Sequence, residues 1–117
     1  MKIETRVRDQ LRRLLDERGG AAPLRAALDA GEVNGAIFWS DRTQHGCVLA
    51  TVLAAAGAED PGPAACALRG FGVLEGWAQH VRPGDQPFAA SDKESGSYRA
   101  AMLVRWIDEW EAERVVA

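Results

Sequence analysis

Two cysteines and two histidines, with acidic groups scattered around them, are the residues of this sequence whose chemistry suits a nucleophile, a base or a metal ligand. Cys47 stands out. It opens the run Cys47-Val-Leu-Ala-Thr-Val-Leu-Ala-Ala-Ala56, and a thiol at the start of a helix sits where the helix dipole favours an anion, which lowers its pKa and activates it. His45, His80 and Asp85 would complete a Cys/His/Asp set of the kind that drives thiol chemistry. The opposing reading is that a cysteine heading an all-apolar helix belongs to the core, and it carries more weight. No catalytic residue is therefore expected, and the chain reads as a binding protein before it reads as an enzyme.

His45, Cys47, Cys66 and His80 are the right types for a metal, but they lack the short paired spacings of zinc modules, so no metal is expected. The glycines do not make a phosphate loop either. Gly70-Phe-Gly72 and the stretch 31–35 have neither a strand before them nor a lysine after, and no cofactor is expected.

Four tryptophans in 117 residues are the strongest sign of binding. Tryptophan is enriched at interface hot spots, and Trp106 and Trp110 share one helical face with Ile107 beside them. Trp77 and Trp106 are expected inside, with Trp39 or Trp110 partly exposed beside polar loops. The loops at 39–46 and 82–87 would lie at the exposed ends of helices. Trp39, Asp41, Arg82, Asp85 and Trp110 are accordingly the candidate binding residues.

The element that must position all of these is the run 47–56. It is apolar on every side, rich in the strongest helix formers, and followed by Gly57 where a helix C′ residue belongs. A helix without a polar face belongs in a core, and this one is far short of the roughly 20 apolar residues that cross a membrane. Its small side chains leave room for larger neighbours, for which Phe38, Trp39, Phe71, Leu74, Trp77, Met102 and Trp106 are candidates.

The flanking elements follow from periodicity. Ile3, Val7, Leu11, Leu14 and Leu15 form one stripe on a helix over 3–18 that Gly19-Gly20 ends. Its other faces carry Lys2, Arg6, Arg8, Arg12 and Arg13 interleaved with Glu4, Asp9, Asp16 and Glu17, the pattern of a solvated, salt-laced surface. A second short helix over 22–30, stopped by Gly31, is expected to pack on the first. Residues 36–39 leave room for one very short β segment. Pro63 opens a short helix to Leu68, and another spans 73–81 with Leu74, Trp77 and Val81 inward. Ser91-Asp-Lys-Glu94 fits a capping box. The last helix, over 97–114, carries Tyr98, Met102, Trp106, Ile107 and Trp110 as its stripe, with Asp108, Glu109, Glu111 and Glu113 outside. Those acids sit at the end the dipole disfavours, so the arginine-rich first helix is expected to pack beside it.

The length fits one domain over 1–117, all-α, with about five helices around the central one. A net charge of −3 argues against general nucleic-acid affinity, although a nucleic-acid arm on the first helix is the remaining alternative. The two cysteines in apolar surroundings and the charged N-terminus without an apolar signal core give the expectation of a cytoplasmic protein with no membrane association.

The ordered set Leu28-Asp-Ala-Gly-Glu-Val-Asn-Gly35, Gly46-Cys47 with its apolar run, Arg82-Pro-Gly-Asp-Gln-Pro87 and Trp106-Ile-Asp-Glu-Trp110 resembles a group of short bacteriophage and bacterial proteins without an assigned activity. The resemblance spans the chain from about residue 28 onward. His45-Gly46-Cys47 departs from the more cysteine-rich pattern of that group. The resemblance implies a phage or prophage association and, with the tryptophans, a protein partner that is a host factor or a second copy. For the fold, one substitution is decisive. Val52→Asp places an unpaired charge in the central helix at a cost of several kcal/mol, against a total stability of about 5–15 kcal/mol, so circular dichroism of this variant should show no cooperative melt.

Overall fold

The computed structural model describes residues 2–33, 47–58, 61–79, 81 and 96–116. Among them lie six helices and no strand: α1 (Ile3–Arg18), α2 (Ala21–Asp29), α3 (Val48–Ala55), α4 (Pro61–Ala67), α5 (Gly72–Ala78) and α6 (Gly96–Val116). The architecture is all-α, as expected. The six are the central α3 and five helices around it, the number expected, with the breakers around Gly70 keeping α4 and α5 apart as separate short helices. The segment at 36–39, Phe38 and the capping box at 91–94 lie outside the described residues.

The apolar run is the buried centre. Every residue of α3 from Val48 to Leu53 is buried, and only its last turn, at Ala55 and Ala56, emerges. The one hydroxyl in this run is satisfied locally, since Thr51 Oγ1 donates to the Cys47 carbonyl at 2.8 Å. Gly57, at φ 93°, ends the helix with the Ala58 amide bonded to the Leu53 carbonyl and the Gly57 amide to that of Ala54. These two bonds satisfy carbonyls a helix end would otherwise leave open. The same pair of bonds closes α2 at Gly31.

Because α3 has no polar face, its neighbours must cover it, and α2, α4 and α5 all pack on it. The turn between α1 and α2 comes close as well. Gly20, at φ 83°, stands where a Cβ would meet Val52 Cγ1 at 3.3 Å and the Val52 backbone at 3.5 Å. The expected packing of α2 on α1 is corrected here. Leu24, Ala27 and Leu28 are buried, and α2 lies chiefly against α3 and α6, since the all-apolar α3 offers a larger dry surface than the narrow stripe of α1.

Helix α1 begins and ends where its periodicity predicts, with Val7, Leu11, Leu14 and Leu15 buried. Ile3 is a correction, since at the open first turn it remains 59% exposed. Polar residues of α1 hold the start of α5: Gln10 Oε1 accepts the Leu74 amide at 2.9 Å, a cap supplied from another helix. Arg13 donates to the Gly70 carbonyl and lies over the Phe71 ring, 4.7 Å from its centroid. Helix α4 opens at Pro61 and not at Pro63, a proline at the first helical position having no amide to leave unpaired.

Helices α1 and α6 pack side by side and run parallel. Glu4 meets Tyr98, and Asp16 meets Trp110, each pair separated by 94 residues, so the two helices advance together. The stripe of α6 is rotated from the expected one. Leu103, Trp106 and Ile107 are buried while Tyr98, Met102 and Trp110 sit at its edges, because Leu103 and Ile107, one turn apart, set the centre of the contact. Trp106 meets Trp77 of α5 with ring centroids 5.4 Å apart. Two glycines test this packing in opposite senses. Gly20→Ala forces a side chain into a left-handed conformation against Val52 and should destabilise by about 1–3 kcal/mol. Gly76→Ala, exposed within α5 with nothing within 4 Å of the new Cβ, should stabilise by about 0.5–1 kcal/mol, both read from denaturant midpoints.

Candidate functional site

Trp110 is the one proposed binding residue that falls within the described part of the chain. Trp39, Asp41, Arg82 and Asp85 lie outside it, as do His45 and His80 of the proposed thiol set. Trp110 sits at the rim of the core near the end of α6, half-buried. Its Nε1 donates to Asp16 Oδ1 of α1 at 2.9 Å, so the polar tip of the ring is satisfied at the seam between the helices. Arg114, one turn further along α6, lies over the ring with its guanidinium carbon 3.8 Å from the centroid. The same guanidinium pairs with Asp16.

Around this group the two helices are joined by charge. Arg12 pairs with Glu113, and Arg25 of α2 reaches Asp108 at 3.0 Å. The acidic end of α6 therefore does find a basic partner on the first helix, Arg12, as its position at the negative end of the dipole predicts, and a second on α2. Asp16 and Arg114 were missed as site residues. The Trp110/Arg114 spacing is readable on one helix, while Asp16 is recognisable only once α1 and α6 are known to be parallel.

At the opposite end of the seam, the Tyr98 hydroxyl donates toward both carboxylate oxygens of Glu4, at 3.3 and 3.2 Å. Loss of solvent and the Glu4 charge raise its pKa, which keeps the phenol a donor. Next to Tyr98 on α6, facing α5, lies a buried arginine that sequence reasoning did not single out. Arg99 stacks over Trp77, 4.9 Å from the ring centroid, and donates to the Trp77 carbonyl at 2.9 Å.

Cys47 is the N-cap of α3, where the sequence places it, but its pKa moves the other way. Burial raises it above its ordinary 9.0 and the Glu75 carboxylate adds to the rise, outweighing the opposing bond in which Sγ accepts the Ala50 amide at 3.4 Å. The activated-thiol reading, the lesser of the two, is thus disfavoured, because removal from water exceeds what the helix end returns. Of the four residues considered as metal ligands, Cys47 alone has a described side chain. Among the described residues no three His, Cys, Asp or Glu side chains are grouped to hold a metal ion, and no helix is long and apolar enough to cross a membrane.

Comparison with protein-family models, with curated proteins and with solved structures gives no match. The thiol gives the direct check on this site. A raised folded-state pKa means that the neutral thiol stabilises the fold fully below the unfolded pKa, and that this contribution is lost as pH climbs through the higher folded value. Iodoacetamide at pH 7, followed by peptide mapping, should leave Cys47 unlabelled in the native protein and label it in denaturant, and stability should fall above pH 9.0. Rapid native labelling of Cys47 would restore the activated-thiol reading.

Proposed function

We propose that this chain is a small phage- or prophage-associated protein that acts by binding another protein, a host factor or a second copy of itself. The observation that carries the reading is the rim tryptophan. Trp110 is half-buried against the core, with its Nε1 bonded to Asp16 and Arg114 over its face, and tryptophan and arginine are among the side chains most enriched where binding energy concentrates. The phage association rests on the ordered resemblance of the sequence segments alone.

Two further features favour a protein partner over the alternatives. Arg12 and Arg13 of α1 are engaged within the molecule, by Glu113 and by Gly70 with Phe71, so they are not arrayed for phosphates. Cys47 is 2% exposed with its pKa raised, which disfavours thiol catalysis.

The test is affinity capture from host lysate at about 150 mM salt, where exposed charges are screened beyond roughly 8 Å, beside a light-scattering mass of the purified chain. A partner or a dimer that is retained by the native protein, lost with Trp110→Ala and kept with Arg69→Glu on the link between α4 and α5 is the expected result. Retention unaffected by Trp110→Ala, or a monomer with no partner, removes the reading.

A further inference from the structure

We infer that Asp16 and Trp110 form a guanidinium-binding site, filled in this structure by the chain's own Arg114, whose outside ligand is an arginine side chain in a basic segment of the partner protein. The inference rests on the protein-binding reading for the identity of its ligand, and on geometry for the site itself. A planar cation is recognised by stacking on an aromatic face while its edge donates to a carboxylate. Both elements converge here on one guanidinium, which lies 3.8 Å over the Trp110 ring and pairs with Asp16. The indole Nε1, 2.9 Å from the same Asp16 oxygen, holds the carboxylate beside the ring edge, so the site is preorganised by residues other than the occupant.

The occupant is suited to being replaced. Arg114 is attached by a long flexible side chain in the last turns of α6, and its side chain is 49% exposed. An incoming guanidinium makes the same contacts and releases Arg114 to water, where its charge is well solvated. The core is not involved in the exchange. The surroundings do not oppose a basic visitor, because Asp108, Glu109 and Glu113 balance Arg25, Arg105 and Arg12, and Glu111 adds a further carboxylate in a chain of net charge −3. Lysine fits less well, since a compact, strongly hydrated ammonium gives up the planar stack and the forked donation.

The test titrates an acetylated, amidated tetra-arginine peptide against the native protein and its variants, following the Trp110 indole N–H by NMR. Tetra-lysine is the comparator. Arg114→Ala empties the site and should bind tetra-arginine at least about tenfold more tightly than the native chain, as expected for charge-assisted contacts freed from an internal competitor. Arg114→Lys, which keeps the charge and the helix, should fall between the two. Adding Asp16→Asn to Arg114→Ala should remove the saturable shift, and tetra-lysine should bind several-fold more weakly than tetra-arginine. Binding by Arg114→Ala no tighter than native, indifference to Asp16→Asn, or equal binding of the two peptides would overturn the site. Both substituted positions are half exposed, and a native-like thermal melt verifies their fold. If the peptide binds while lysate capture and light scattering find no partner, the guanidinium site stands and the protein-binding reading falls. If a partner is captured through Trp110 but tetra-arginine neither binds nor displaces it, the binding reading stands and this inference falls.

Discussion

A helix with no polar side sets the terms for everything packed around it. From Val48 to Leu53 each turn of α3 presents apolar groups in all directions, so burial on one face alone would leave the others wet. Each fully buried Val or Leu stabilises by about 1.5–3 kcal/mol, which is several times the contribution of a half-exposed ion pair at about 0–1 kcal/mol. The arrangement of α2, α4 and α5 is decided by the need to cover α3, and charges settle only what remains. The placement of Gly20 against Val52 is one consequence, because the chain must turn between α1 and α2 at the surface of that helix and only a residue without a side chain fits there.

The terminal helices meet under a different constraint. Running parallel, they bring two negative helix ends to the same edge of the molecule, an arrangement that dipoles alone disfavour. Cross-pairs compensate for it: Arg12 with Glu113, and Asp16 with Arg114 and the Trp110 indole. Beneath these pairs lies the stronger glue, with Leu103, Trp106 and Ile107 of α6 buried in the same core as Leu11 and Leu15 of α1. The ion pairs thus tune register along a seam whose existence is hydrophobic.

What could be read from the sequence follows from which forces are local. The bounds of α1 and the burial of α3 depend on periodicity, propensity and a glycine stop, all contained within a few turns, and they were legible. The partnership of α2 depends on competition between α1 and α3 for the same apolar face, which no local pattern reports. The all-helical class was readable for the same reason the rotated stripe of α6 was not: apolar period identifies a helix, but Leu103 and Tyr98 compete for the centre of its buried face, and the outcome depends on what lies opposite. For the site, the sequence places Cys47 correctly at a helix start, weighs burial above the dipole there and names Trp110, yet it gives no sign of Asp16 as the partner of the tryptophan. That contact spans 94 residues and exists only once the two helices are docked.

The three described tryptophans show why a rim position differs in kind from a core one. Trp77 and Trp106 contact each other inside, and Arg99 lies over the Trp77 face with its charge bonded to a carbonyl, an assembly of groups that would be costly to expose. Trp110 also has an arginine on its face and a hydrogen-bonded tip, but both partners are half open to water. In water each contact has a ready substitute, so breaking it costs little, whereas the ring itself is anchored by packing against the core. The combination of a fixed aromatic surface and exchangeable polar partners is what separates a position able to change its contacts from one whose contacts are the fold.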